Sequence, residues 1–127
     1  LAARLSGGHY ATHTIPLAYG VPFVDYAIRF ALGERAGVIT VTAENHVSQR
    51  YIFPASDDIG RRVARIKDTP ATADYASWYI KSGDVIRPVH SHPDRWGHAI
   101  CTGRTEAEAT ARAEWAVAEM KKGVVLE

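Results

Sequence analysis

A chain of 127 residues accommodates one domain, or one domain with the edge of another. It is long enough to bury roughly two-thirds of its unfolded surface, so a core forms without staples. A hydrophobic share of 46%, a charged share of 23% and a net charge of +1 with both signs dispersed describe an ordinary globular protein and exclude an electrostatic nucleic-acid surface. The lone Cys101 excludes an internal disulfide and fits a reducing, cytoplasmic setting. No apolar run of about 18 residues is present, which excludes a membrane span and a membrane partner.

Residues 1–22 read as a loop-rich opening punctuated by Gly7-Gly8, Pro16, Gly20 and Pro22. Leu1 to His9 look like the end of a buried strand running into a Gly-rich loop, and are expected to continue from residues upstream. Arg4 stands directly before this loop, whose small residues leave backbone N–H groups open to an anion. A helix is predicted over 22–33. Pro22 suits its first turn and Gly33 its left-handed cap, with Val24, Ala27, Ile28, Ala31 and Leu32 on one face.

Residues 37–102 read mainly as strands. Val38-Ile39-Thr40-Val41-Thr42 is β-rich throughout, Val47–Phe53 forms a second run ended by Pro54, and Arg62–Lys67 alternates polar with apolar. Ser56–Gly60 and Ser82–Asp84 are turns, Thr69–Asp74 is a loop, and Tyr75–Ile80 fits a strand or a short helix. Asp84–His90 and Trp96–Thr102 are expected to pair as a hairpin around Pro93-Asp94. The clearest element is a helix over 105–122. Thr105 and Glu108 make a capping box, Ala109, Ala113, Ala116, Val117 and Met120 line one face, Lys121-Lys122 suit its C-terminal end, and Gly123 stops it. An alanine-rich stripe predicts close packing on a sheet. Leu126-Glu127 could be an expression-vector scar and are assigned no structural role.

Three stretches together resemble the C-terminal third of ATP-grasp carboxylate–amine ligases. Leu1-Ala2-Ala3-Arg4 followed by Leu5-Ser6-Gly7-Gly8-His9 is similar to the E-x-N-x-R strand and Gly-rich substrate loop of that family, with a small residue in place of Asn. Its Glu is expected immediately before Leu1. Ile15-Pro16-Leu17-Ala18-Tyr19-Gly20-Val21 through Ala27–Gly33 resembles the helical segment that follows the loop. Ser82–Ile86, Asp94–Gly97 and Thr102–Ala109 resemble the C-terminal subdomain of glycinamide-ribonucleotide synthetase, biotin carboxylase and the L-amino-acid ligases, the last being the nearest branch.

The resemblance implies an α+β fold: the end of the ATP-grasp domain (loop plus helix) over 1–36, then a small antiparallel β-sandwich or sheet over 37–125 with a C-terminal packing helix. It implies amide formation through an acyl phosphate, with ATP and Mg²⁺ in the full-length protein and a fragment inactive alone. The partners implied are a small-molecule carboxylate, an amino acid in that branch, and an amine; self-association stays open. Arg4 matches the arginine set against phosphate or acyl-phosphate oxygens, a task that suits a planar bidentate donor. Ser6, Gly7 and Gly8 match the loop that touches the carboxylate or the amine. Ala2 stands where the family places a metal-binding Asn and cannot ligate, so no metal site is expected within these residues.

Other readings stay open beside it. Arg4 could pair with a buried carboxylate and the glycines could form a plain turn. A non-catalytic binding or assembly module, or a degenerate ATP-grasp homologue as Ala2 would favour, are the alternatives. His9 and His13 are four apart and could meet on a short helix, but lack a third ligand for a metal. His90 and His92 could form a metal pair on a strand, yet Pro93-Asp94 marks a tip where solvated histidines are expected. His98 is expected on a wet sheet surface and Cys101 as a buried, inert thiol. Trp78, Tyr79, Trp96 and Trp115 are expected in the core or at a domain interface, and Arg61-Arg62 and Lys121-Lys122 as solvated charges.

Overall fold

The computed structural model describes residue 5, residues 7–35 and residues 37–127. The fold is α+β, a C-terminal helix packed on an antiparallel sheet. Among the described residues, strands β1 (His46–Ile52), β2 (Val63–Ile66), β3 (Tyr75–Trp78), β4 (Gly97–Gly103) and β5 (Val124–Leu126) form two antiparallel sheets, ordered β1-β4-β3 and β2-β5. Helices α1 (Ile15–Tyr19) and α2 (Phe23–Ala31) precede the sheets, and α3 (Glu106–Lys122) lies between β4 and β5.

Strand β4 occupies the centre and is buried on both faces, only Thr102 being half-buried. It pairs with β1 from His46↔Gly103 to Ile52↔Gly97, and with β3 from Tyr75↔Ile100 to Trp78↔Gly97. Alternation sends Ala99 and Cys101 to one face, and His98, Ile100 and Thr102 to the other. Helix α3 covers the first face. Its Ala109, Ala113, Ala116 and Met120 are buried, and Ala113, Ala116 and Met120 join Ile52, Val63, Ile86, Trp96, Ala99 and Cys101 in one core. Small residues let the helix axis come close. Gly103 completes that approach, since a Cβ there would stand 2.5 Å from the Ala109 amide nitrogen.

The start of α3 forms as the sequence predicts. The Thr105 hydroxyl accepts from the Glu108 N–H at 3.2 Å. The Glu108 carboxylate reaches back to the Arg104 N–H at 2.8 Å, one residue beyond a standard capping box. Asp74 ties the loop before β3 to the end of β4. It accepts the Thr102 N–H at 2.6 Å and the Thr102 hydroxyl at 3.1 Å, and Arg112 of α3 lies 3.6 Å away.

Four elements differ from expectation. Val38–Thr42 forms no strand; Val38 is 91% exposed. β-branched residues favour a pleat only when a neighbouring strand receives them, and this segment instead hangs from α1, with the Thr42 N–H donating to Tyr19 C=O and Asn45 to Ala18. The hairpin between 84–90 and 96–102 does not form. Asp94 gathers the N–H groups of His90 and Ser91 at 3.0 and 2.7 Å, which ends any ladder there, and Pro88 has no N–H to give. Residues 84–86 pair instead with 61–63, Val63 donating to Asp84 and Ile86 to Arg61 at 2.8 Å each.

The opening is helical from Tyr10, where composition suggested a loop to residue 22 and the family resemblance implied a helical segment from Ile15. A π-helical turn over Tyr10–Thr14 runs into α1, whose first turn holds Pro16 and whose end is Gly20 at φ +65. Residues 126–127, expected to have no structural role, complete the edge beside β2: Val63 pairs with Leu126, and Arg62 and Glu127 exchange N–H···O bonds at 3.0 and 2.9 Å. No helix among the described residues is long and apolar enough to cross a membrane.

Candidate functional site

The predicted substrate loop leads straight onto the second face of the β1-β4-β3 sheet. Of its residues, Arg4 and Ser6 lie outside the described residues, as does Ala2. Gly7 and Gly8 are exposed, with Gly8 in the left-handed region at φ +67. A side chain at Gly8 would point toward the Tyr51 hydroxyl, which lies 3.8 Å from the position of a Cβ.

His9 follows directly, and here the sheet takes hold of the loop. Its imidazole stacks on His98 of β4 with ring centroids 4.3 Å apart and planes within 16°. One π-helical turn later, His13 stacks on Tyr75 of β3 at 3.6 Å and 23°. The two N-terminal histidines do meet, ring to ring at 5.3 Å, as their spacing allows. Tyr79 stacks on His98 from beyond β3 at 5.3 Å, and Tyr51 of β1 tilts over it at 6.0 Å. The Arg95 guanidinium covers the Tyr51 ring at 3.8 Å, a cation–π contact that sets a positive charge at the rim of the cluster.

His98 is the residue that sequence reasoning placed wrongly. It is fully buried, not on a wet surface. The expectation treated the sheet as covered on one face only, whereas the helical segment from His9 to Tyr19 covers the other. Neither of its ring nitrogens has a hydrogen-bond partner, and Thr14 Oγ1 and both side-chain polar atoms of Gln49 are likewise buried and unpartnered. Burial, with the nearby His9 and His13, depresses the His98 pKa to about 4. His9 is lowered too, first by burial and then by His13. At neutral pH His98 is therefore an uncharged ring. Tyr79 is raised by burial and by Tyr51, so its hydroxyl keeps its proton.

Tyr51, Tyr75 and Arg95 were not singled out in the sequence, and Tyr79 was read only as a core or interface aromatic. The usable signal was Ile100, an apolar residue on the same face of the strand as His98, which points to a covered face there. His90 and His92 are exposed at the turn, as expected. Cys101 is buried and its thiol pKa is raised by burial, which suits an inert thiol. Trp96 is in the core and Trp78 packs against it, while Tyr79 and Trp115 stay 42% and 50% exposed. Arg61 and Arg62 are not simply solvated: they donate to the carbonyls of Leu126 and Gly83 at 2.8 and 2.7 Å. Lys121 likewise reaches the Phe53 carbonyl at 2.9 Å, and Lys122 pairs with Glu119.

Among the described residues, no group of three or more His, Cys, Asp or Glu could hold a metal ion. Of the three neighbouring histidines, His9 lies flat on His98 and meets His13 edge-on at 68°, contacts made through ring faces and edges. These residues do not by themselves fit a Mg²⁺ site.

A helix-backed antiparallel sheet whose second face seats the Gly7–Gly8 segment through His9 makes this an α+β domain. Residues 61–125 match the family model for L-amino acid ligase C-terminal domain 2. The chain belongs to that family, and so carries a domain of an L-amino acid ligase of the ATP-grasp type. No curated protein and no solved structure matches it.

Proposed function

We propose that this chain is the closing C-terminal part of an ATP-dependent ligase that joins an amino-acid carboxylate to an amine through an acyl phosphate. The observation that carries the reading is the seat of His9 on His98. It fastens the loop that resembles the ligase substrate loop to a strand inside the region matched by the ligase family. In this reading residues 1–36 are the tail of the catalytic domain, and 37–125 are the subdomain that helix 105–122 closes.

The chemistry asked of these residues is electrostatic. A carboxylate and a phosphoryl group approach each other with like charge, and a bidentate cation at Arg4 offsets that repulsion and favours the acyl phosphate. The main-chain N–H groups of Ser6, Gly7 and Gly8 supply neutral donors to the carboxylate, or position the amine for attack. The attacking amine displaces phosphate from the acyl carbon and loses a proton, leaving an amide. Magnesium, which the family implies, has no ligand set among the described residues, and no step here passes through it.

Ala2, where the family sequence places a ligating Asn, favours a second reading: a homologue that keeps the fold without catalysis. One experiment separates them. The full protein, given ATP, Mg²⁺ and pairs of amino acids, is expected to release ADP and phosphate in step with dipeptide. Failure to release ADP with any pair overturns the ligase reading and leaves the second.

A further inference from the structure

We propose that His98 is a positioning residue: its buried ring seats His9 flat against the sheet, and so holds the Gly7–Gly8 loop in one geometry. The inference deepens the ligase reading, since that reading gives the loop its substrate, but the contact it rests on is independent of any activity.

Three observations converge on the ring. First, His9 and His98 are stacked nearly parallel at 4.3 Å, and His9 is joined directly to Gly8. A glycine pair has no side chain to anchor it, so its conformation is set by what holds its neighbours. Second, His98 is fully buried with both nitrogens unpartnered. An apolar residue would fill the slot without leaving two polar atoms unmet, so packing alone does not account for an imidazole there. Third, every element around the ring contributes a group able to sense its charge. His9 and His13 come from the loop and π-helical turn, and Tyr51 from β1. Tyr75 comes from β3, Tyr79 from just beyond it, and Arg95, lying over Tyr51, from the approach to β4. None of these is a carboxylate.

A seat of this kind releases in acid. A proton on His98 places a cation under the His9 ring, in the same cluster as His13 and Arg95, with no anion among the groups just named to receive it. Stacking between two neutral imidazoles becomes repulsion between two cations once His9 also binds a proton. The segment from Gly8 to Tyr19 then lifts, while α3, on the far face of the sheet, stays.

The test uses the 127-residue chain as wild type, H98F and H98A. The phenylalanine keeps a flat ring that cannot titrate; the alanine removes the ring. Backbone resonances of Gly8 and His9 are followed by NMR, together with hydrogen exchange of residues 11–19 and of α3, corrected for intrinsic rates. In wild type, the Gly8 and His9 resonances are expected to move together with the His98 imidazole in one titration near pH 4. Protection of residues 11–19 should fall by about tenfold or more over the same range while α3 keeps its own. H98F should keep the protection of residues 11–19 in acid, its Gly8 and His9 resonances then following only the protonation of His9 itself, and H98A should lose that protection already at neutral pH. The proposal is overturned if H98A leaves these resonances and this protection as in wild type, or if H98F loses the protection in acid as wild type does. Should H98A not fold, the comparison of H98F with wild type decides alone. An absence of ligase turnover bears on the functional reading and leaves this test untouched.

Discussion

The depressed His98 pKa makes global stability depend on pH in a predictable window. Its ordinary value of 6.5 applies in the unfolded chain, and about 4 in the folded one. Between these values the unfolded state binds the proton and the folded state does not, so stability rises with pH. The contribution is therefore complete above pH 6.5, shrinks as the pH falls toward 4, and is gone below it. At roughly 1.4 kcal/mol per pKa unit, the drop amounts to about 3 kcal/mol, a large share of the stability of a domain this size. Urea unfolding of wild type and H98F at neutral pH and near pH 4 isolates it, because the remaining titratable groups are common to both. Wild type is expected to lose about 3 kcal/mol more than H98F on acidification. Equal losses in the two proteins would refute the reasoning, since they would show that His98 ionises as freely in the fold as outside it.

Three further substitutions probe the frame that holds the site. G103A places a Cβ 2.5 Å from the Ala109 amide nitrogen, and should lower unfolding free energy by about 2 kcal/mol or more in denaturant titration; a change under about 0.5 kcal/mol would contradict the close approach of α3 to β4. M120A empties a site only 2% exposed in the main core, and is expected to cost about 2–5 kcal/mol by the same measurement. T105A removes the acceptor for the Glu108 N–H, and calorimetry should show a loss of about 1 kcal/mol, confined to stability and leaving the fold intact by circular dichroism.

How far the sequence could be read depended on whether a signal was local. The α3 helix announced itself through Thr105, Glu108 and the alanine stripe, all of which act within one element. Gly33, Gly60 and Gly83 marked real turns, each with φ between +77 and +92. Where the outcome depended on a distant partner, the reading failed. Val38–Thr42 has strand chemistry but no strand beside it, and of the expected hairpin arm residues 84–86 bonded with 61–63 while Asp94 took the N–H groups of His90 and Ser91. His98 is the instructive case. It lies on the face of β4 opposite Cys101, and whether that face was wet depended on a helical segment at the other end of the chain. The candidate site was therefore half legible: the Gly-rich loop was visible as a motif, while the ring cluster that seats it exists only once β1, β3 and β4 are side by side.

Transfer of oxygen tests whether the protein carrying this domain activates a carboxylate as an acyl phosphate. An amino acid labelled with ¹⁸O in its carboxylate is incubated with the full protein, ATP, Mg²⁺ and an amine-donating amino acid, and the phosphate released is examined by ³¹P NMR. If the carboxylate oxygen attacks the γ-phosphoryl group and the amine then displaces phosphate, each phosphate carries one labelled oxygen, and ADP appears in equal amount. Unlabelled phosphate, or release of AMP and pyrophosphate, would contradict the account.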